Sequence, residues 1–352
     1  MTFKGCLYEV YPETATKIRT TLQLSIVYPE KQTDSRTKIH YNMKYNQSLS
    51  FAEKERICEA LFLQEGPFWH LCTDGTKMQN IFTSGTDFDL GMNLLAVSAC
   101  RKPGVRIVAF ELMSNHVHKI LCGQKEACMG LFEDFKGRMK RIFRRSGRII
   151  DWESFTAEII PIEDLRALRN EIIYTHRNAY VSQSSYTPYN YPWGSGIAYF
   201  NPLLKSIPAV SFNDLTYDSR RAYAHVRDIS RLGALKFHGE RAYIPSFCDV
   251  SLGESLFNDP RSYFNSLTKN VEAFSEIASR LKDTVFLTDD ELYAVASRYS
   301  AEEFNVRQLS SLSPDQRIRI AKELHFKYNA SNQQLRRLLK LDISLLNEMF
   351  IG

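Results

Sequence analysis

The chain of 352 residues has no run of 18 apolar residues and no segment typical of a secretory signal. A membrane-spanning helix needs about 20 consecutive apolar residues, and a signal peptide needs a shorter apolar stretch after a basic start. We therefore expect neither export nor membrane insertion, and we expect a cytoplasmic protein.

The seven cysteines include no Cys-x-x-Cys pair, and their number is odd. Disulfide frameworks normally use an even number of cysteines and occur in oxidising compartments. The cysteine pattern therefore predicts reduced thiols in a cytosolic setting.

The chain also lacks a strong overall charge, since its formal net charge is only +5. Positive charge is nevertheless concentrated in residues 101–150, which hold 12 Lys and Arg against 4 Asp and Glu. Apolar residues at helical spacing predict an amphipathic helix there. Exposed helix faces usually mix both signs of charge, whereas residues 136–148 contain no acid. This pattern favours a DNA-binding surface that contacts the backbone phosphates. The candidate residues are Lys136, Arg138, Lys140, Arg141, Arg144, Arg145 and Arg148.

Two histidines one residue apart lie in an apolar stretch, residues 105–122, between Pro103-Gly104 and Gly123. Such a stretch predicts extended backbone, on which His116 and His118 project from the same face. Two neutral imidazoles side by side form half of a divalent-metal site. The alternative to a metal site is that both histidines are simply polar residues on the solvent-exposed face of a half-buried strand.

Residues 161–182 predict a helix that begins at Pro161, because proline suits a first helical turn. On this helix Tyr174 and Asn178 are one turn apart, on a face opposite the apolar stripe. His176 falls on the apolar stripe and is predicted to be a core histidine. A lone helical tyrosine can also be a simple surface or partner contact.

The segments Met113-Ser-Asn-His-Val-His118 and Tyr174-Thr-His-Arg-Asn178 resemble those of the single-tyrosine HUH transposases. This family includes the transposases associated with repetitive extragenic palindromes. The resemblance implies that Tyr174 is the nucleophile and that His116, His118 and Asn178 hold Mg²⁺ or Mn²⁺. It also implies a covalent 5′-phosphotyrosine and a released 3′ hydroxyl.

A third segment, Tyr186 to Tyr199, resembles the Pro-Trp-x-Ser…Tyr stretch that follows the tyrosine helix in the palindrome-associated branch. Its rings could stack on unpaired bases, but a latch between helix and sheet is the favoured interpretation. The resemblance implies an α+β fold with a ferredoxin-like antiparallel core and a basic helix after the histidines. This chain departs from the family pattern at Asp74, where Arg is common, and at Ala179, where Pro is common.

The N-terminal flank fits that order of elements. Residues 68–73 predict a strand, Asp74-Gly75 a turn, and Asp87 the N-cap of a helix that ends near Arg101. We expect four regions: an N-terminal extension (1–60), a catalytic domain (61–204), a mainly helical middle region (205–305), and a helix-turn-helix-like C-terminal domain (306–352). A strand is predicted at 22–27, and the extension could be either an added edge strand or a loose arm.

Three short helices are predicted in the C-terminal region, at 314–328, after Ser331, and at 342–350. The third helix has no Lys or Arg, whereas the second carries Arg336, Arg337 and Lys340. Binding of a duplex or hairpin stem and a structural or dimerising bundle are both compatible with this pattern.

Together with the basic segment, the resemblance implies a transposase of the bacterial nucleoid that binds single-stranded or hairpin DNA and cleaves and rejoins one strand. One alternative is a non-catalytic, domesticated DNA-binding regulator of palindromic repeats. Another is a metal-dependent hydrolase that uses water. The resemblance leaves open whether the chain is a monomer or a homodimer.

Overall fold

The computed structural model describes residues 49–182, 186–226, 228–267, 274, 277–278, 280–281 and 287–350. The chain divides into two units, Met1–Ile39 and His40–Gly352, and every described residue belongs to the second. The strand predicted at 22–27 lies outside the described residues.

The first part of the described chain is an α+β arrangement that carries all the predicted site residues. Its helices and strands are α1 (Phe51–Glu65), β1 (Phe68–Thr73), α2 (Gly85–Arg101), β2 (Val105–Leu112), β3 (Val117–Gly123), α3 (Lys125–Arg145), β4 (Ala157–Ile162) and α4 (Leu165–Ser182). Residues 51–65, which the sequence analysis placed largely in an N-terminal extension, form a helix with a capping box at Ser50.

The four strands form one antiparallel sheet in the order β2-β3-β1-β4. Adjacent residues on β3 face opposite sides: Lys119 lies over the rings of Phe132 and Phe135 on α3, whereas His118 contacts Tyr174 on α4. Helix α3 also packs against α2. The basic helix and the tyrosine helix therefore cover opposite faces of the sheet.

The stretch 105–122 is a hairpin and not the single strand that we predicted. Strands β2 and β3 pair antiparallel, and the backbone N–H of Met113 donates to the His116 carbonyl at 2.9 Å. The polar pair Ser114-Asn115 interrupts the apolar run and forms the turn. His116 therefore lies in the turn, and strand alternation does not place it.

Two predicted helix starts were also wrong. Pro161 belongs to the edge strand β4, where a missing N–H is tolerated, and α4 begins after Asp164, whose side chain accepts from the N–H of Ala167 at 2.7 Å. Helix α2 begins after Ser84, which accepts from the N–H of Asp87. Each helix starts at the residue whose side chain satisfies an unpaired backbone N–H.

The middle region combines short helices with a second small sheet. Its elements are α5 (Pro202–Ser206), β5 (Val210–Ser211), α6 (Tyr217–Ala224), β6 (Lys236–His238), β7 (Arg241–Ala242), α7 (Val250–Ser255) and α8 (Pro260–Leu267). The small sheet has the order β5-β6-β7. It is joined to α2 through Asn93, which donates to the Glu240 carbonyl and accepts from the N–H of Ala242.

The three predicted C-terminal helices are confirmed and follow one further helix, giving α9 (Asp289–Phe304), α10 (Pro314–Tyr328), α11 (Asn332–Leu339) and α12 (Ile343–Met349). Ser331 and Asp342 cap α11 and α12. Leu335 and Leu346 belong to the same hydrophobic core as the four-stranded sheet. Among the described helices, none has the length and apolarity required to cross a membrane.

Candidate active site

Tyr174 and His118 lie next to each other across the interface between α4 and the sheet. Their ring centroids are 5.6 Å apart and the ring planes are nearly perpendicular. The His116 ring is 5.0 Å from that of His118. The histidine pair and the tyrosine, which are far apart in sequence, therefore form one cluster.

This cluster is buried, contrary to the prediction that Tyr174 occupies an exposed face. Tyr174 is 4% exposed, His118 0% and His116 9%. The sheet covers α4 on one side, and α8 packs against it as well. The Phe274 ring also lies 6.3 Å from the Tyr174 ring. Because helix α4 is covered on more than one side, the face opposite its apolar stripe, which carries Tyr174, is buried as well.

Asn178 follows Tyr174 by one helical turn, and its side-chain nitrogen donates to the Tyr174 carbonyl at 3.2 Å. The next residue, Ala179, donates its backbone N–H to the Glu111 carboxyl at 2.5 Å. Glu111 pairs directly with His118 across β2 and β3. The bond from Ala179 therefore ties the segment that carries Asn178 to strand β2, and the Asn178 amide oxygen is the potential metal donor of this segment.

The turn before β3 orients His116. Asn115 donates through its amide nitrogen to the Gly75 carbonyl at 2.7 Å, so its amide oxygen is the acceptor for His116 Nδ1 at 2.8 Å. His116 therefore carries its proton on Nδ1 and keeps a lone pair on Nε2. A Cβ at Gly75 would lie 2.8 Å from His116 Nδ1, so a side chain there would displace the ring.

Sequence reasoning missed two polar side chains in the cluster, His70 on β1 and Glu171 on α4. His70 Nδ1 lies 2.5 Å from Glu171 Oε2, and His70 Nε2 lies 3.1 Å from His118 Nδ1. All three residues are buried. The available signals were a histidine within an apolar strand and an acid three residues before the tyrosine.

The donor types at the cluster fit a divalent cation. Among the described residues, no group of three His, Cys, Asp or Glu side chains is arranged to hold a metal ion. The candidate set has two imidazole nitrogens, from His116 and His118, and the Asn178 amide oxygen. Mn²⁺ and Mg²⁺ accept such mixed nitrogen and oxygen ligands, and water or phosphate oxygens can complete their coordination.

Two of the seven predicted DNA-binding cations have structural contacts instead. Arg138 is buried, and its guanidinium donates to Asp134 one turn earlier at 2.6 and 3.2 Å. Arg148 donates to Asp87 at 2.8 Å and to the Ile81 carbonyl at 2.6 Å. Asp134 lies just before the acid-free segment 136–148, whereas Asp87 is distant from it in sequence. Both residues hold the protein together and are removed from the DNA-binding set.

The other five cations lie on the outer side of α3, and we call them the basic surface: Lys136, Lys140, Arg141, Arg144 and Arg145. Four of them line a surface depression of about 520 Å³ together with Gly137. Lys140 also contacts Glu153 at 3.3 Å, but both side chains are exposed, and such pairs are weak. Because α3 covers the face of the sheet opposite α4, a strand that reached both would have to pass around the sheet.

The loop after α4 is a latch, as favoured from its sequence. Tyr191 donates to the Leu112 carbonyl at 2.5 Å, and Ser195 bonds to the backbone of Phe110. The Trp193 ring stacks on Phe88 at 4.4 Å. These contacts cover the edge strand β2 and hold the rings of Tyr191 and Trp193 against the protein, whereas Tyr189 is exposed.

His176 is a core histidine, as predicted. Its two ring nitrogens bond to Ser195 at 2.7 Å and to Tyr263 at 2.9 Å. Burial lowers the pKa of His176 to about 3, so the ring is neutral. Its contacts connect α4 to the latch loop and to α8.

Comparisons with known proteins add no relatives: no protein-family model, no curated protein and no solved structure matches this chain.

Proposed function

We propose that this chain is a DNA strand-cleaving and strand-joining enzyme of the single-tyrosine HUH type, with Tyr174 as nucleophile. The observation that carries the proposal is the 5.6 Å contact between the Tyr174 and His118 rings. A tyrosine beside a histidine pair is the arrangement that attack on a metal-bound phosphate requires. It would act on DNA in the bacterial cytoplasm.

The arrangement of the sheet supports this proposal. The elements β1 to β4 with α2 and α3 follow the order β-α-β-β-α-β, and the strand order is β2-β3-β1-β4 with antiparallel neighbours. This order of elements and strands supports the ferredoxin-like core that the resemblance implies. His118 then lies on β3 and His116 in the turn before it, and helix α4 covers the face of the sheet opposite α3.

The proposed reaction is an in-line displacement at a phosphodiester. The Tyr174 oxygen forms a bond to phosphorus while the bond from phosphorus to the 3′ oxygen breaks. The phenol gives up its proton, and the departing 3′ oxygen takes one to become a hydroxyl. The phosphotyrosine conserves the energy of the broken bond, so attack by another 3′ hydroxyl can reverse the step.

The residues of the cluster have distinct parts in this proposal. A bound divalent cation would supply a Lewis acid that draws charge from a non-bridging phosphate oxygen. His116, His118 and Asn178 would hold it. The position of the tyrosine matters as much as the charge of the cation, because alignment of the nucleophile with the phosphate removes a large part of the entropic barrier. Burial of the Tyr174 ring between His118 and Phe274 restricts its orientation.

The basic surface would bind the DNA backbone through phosphate contacts that carry no sequence information. Its position on the far side of the sheet from Tyr174 suits a folded DNA, whose stem and cleavage site are separated in space. A hairpin end meets this requirement, and a short linear strand does not.

A second candidate, a DNA-binding regulator without cleavage activity, is favoured by one observation. Tyr174 is only 4% exposed, so DNA reaches it only if neighbouring groups such as Phe274 are displaced. A protein that no longer cleaves DNA could keep the fold, the basic surface and a histidine–tyrosine cluster that is buried from solvent.

The two candidates differ in one assay. The full-length chain is incubated with 5′- or 3′-labelled single strands that carry a hairpin, with Mn²⁺ or Mg²⁺, and analysed on a denaturing gel. The enzyme predicts a protein–DNA adduct that retains the label on the 3′ side of the cut, since the 5′ phosphate stays on the protein.

Tyr174→Phe must abolish the adduct, and Tyr189→Phe is the matched control, because Tyr189 is 55% exposed and outside the cluster. Tight binding with no adduct on any hairpin would support the regulator. Cutting that persists in Tyr174→Phe would instead support a hydrolase that uses water.

A further inference from the structure

We infer that His70 and Glu171 are positioning residues that fix the ring tautomer of His118 and thereby present its Nε2 to a divalent cation. This inference rests on the proposed function and adds to it two residues that do not themselves touch DNA or metal. Its basis is the buried chain of contacts from Glu171 through His70 to His118.

The direction of the chain is set at Glu171. A carboxylate only accepts hydrogen bonds, so at 2.5 Å the proton between the two groups belongs to His70 Nδ1. Arg280 lies 3.6 Å from the other oxygen of Glu171, so the guanidinium contacts the oxygen that does not face His70. Glu171 therefore selects the Nδ1–H tautomer of His70.

An imidazole ring whose one proton is on Nδ1 has a lone pair on Nε2, which can only accept a hydrogen bond. The 3.1 Å contact from that atom to His118 Nδ1 then requires that His118 donate. His118 accordingly keeps its proton on Nδ1 and its lone pair on Nε2. The hydrogen bond from His70 to Glu171 therefore also fixes the tautomer of His118.

The other histidine reaches the same state by a different route. Asn115, fixed by its bond to the Gly75 carbonyl, accepts from His116 Nδ1. Both histidines of the pair are therefore set to bind through Nε2. Agreement between two independent hydrogen-bond chains is expected at a metal site, where each ligating histidine donates its other N–H to a fixed acceptor.

The geometry also separates this role from simple packing. His70 lies on β1 and Glu171 on α4, three residues before Tyr174. The chain therefore connects the nucleophile's helix to the histidine strand, and the His70 ring is itself 6.2 Å from that of Tyr174. Loss of the chain would change both the donor strength of His118 and the placement of the helix.

The test measures Mn²⁺ binding to the full-length chain without DNA, by the loss of the free-ion electron paramagnetic resonance signal. His70→Phe removes the acceptor for His118, and Glu171→Gln keeps the volume but no longer dictates the tautomer of His70. We expect Mn²⁺ affinity to fall 10- to 100-fold in each, as is typical when an outer-shell partner is lost.

His176→Phe is the matched control, because His176 is also buried on α4 with two hydrogen bonds but lies outside the chain. It should lose thermal stability and keep its Mn²⁺ affinity. Nitrogen-15 spectra of labelled histidine give a readout without metal. They should place the His118 proton on Nδ1 in the wild type and show mixed tautomers in Glu171→Gln.

The outcomes distinguish this inference from the proposed function. If the wild type binds Mn²⁺ and both variants, folded by circular dichroism, bind it within twofold of the wild type, the positioning role is wrong and the proposed function stands. If the wild type itself binds no Mn²⁺, both are wrong. If His70→Phe does not fold, Glu171→Gln alone decides.

Discussion

The carboxyl of Glu111 and the backbone nitrogen of Ala179 lie 2.5 Å apart, which ties β2 to α4 beside the candidate site. Residue 179 is alanine, where the resembled family commonly has proline, and only a residue with an N–H can make this bond. The contact is buried, with Glu111 only 1% exposed. In this chain, the bond from Ala179 to Glu111 therefore fixes the position of the segment that carries Asn178.

Glu111→Gln should stabilise the protein at pH 8, by roughly 1–3 kcal/mol. Burial raises the pKa of Glu111 well above 4.5 even though Ala179 donates to it. Above pH 4.5 the folded state therefore keeps a proton on Glu111 that the unfolded state has lost. Because the folded state binds more protons, the free energy of unfolding of the wild type falls as pH rises. Urea unfolding of both proteins from pH 5 to pH 8 should show the difference growing with pH; a constant difference would contradict it.

Lys119→Met should also stabilise the protein, with the opposite dependence on pH. The Lys119 side chain is fully buried over the Phe135 ring, 4.2 Å from its centroid. Burial lowers the pKa of Lys119 to about 7. Between pH 7 and about 10.5 the unfolded state binds more protons, so wild-type stability rises with pH by up to about 1.4 kcal/mol per unit. The variant should be more stable by roughly 1 kcal/mol or more at pH 7 and lack this rise, and calorimetry across that range measures both.

The double variant Arg144→Ala/Arg145→Ala should weaken hairpin binding and make it less sensitive to salt. Each phosphate contact that is lost lowers the slope of log K against log salt by about 0.7 to 0.9. Fluorescence anisotropy at several salt concentrations measures the slope. Arg166→Ala, an exposed arginine on α4, is the control. An unchanged slope in the double variant would mean that the basic surface is not the DNA-binding surface.

Arg177→Met should destabilise the protein by about 3–5 kcal/mol, because it leaves the Glu291 carboxylate buried without its charge partner. The Arg177 guanidinium contacts both oxygens of Glu291 at 2.5 Å and lies over the Phe274 ring. This pair joins α4 to α9. Adding Glu291→Gln should recover part of the loss, so a double-mutant cycle in urea that showed additive effects would contradict a coupled pair.

Elements specified by local signals were predicted closely from the sequence. The strand Phe68–Thr73 and the three C-terminal helices have the expected bounds, because turn residues and capping side chains mark their ends. The core position of His176 also followed from helical periodicity. These features depend on residues only a few positions apart.

Features that depend on contacts between distant segments were not predictable in this way. Helical periodicity identifies one apolar stripe, but it does not show that α4 is covered on further sides, so the burial of Tyr174 was missed. The His70–Glu171 contact joins β1 to α4 and has no local signature. The pairing of Arg138 was missed for a simpler reason, since Asp134 lies two residues before the acid-free segment 136–148 on which the prediction rested.

The most direct test of the central claim is peptide mass spectrometry of the chain after incubation with a hairpin-bearing single strand and Mn²⁺, followed by nuclease and protease digestion. We expect a nucleotide phosphate attached to the peptide that contains Tyr174. We expect none in His118→Ala, which keeps the tyrosine but loses the neighbouring imidazole. Cleaved DNA with the nucleotide on another residue, or with no nucleotide attached to the protein, would contradict it.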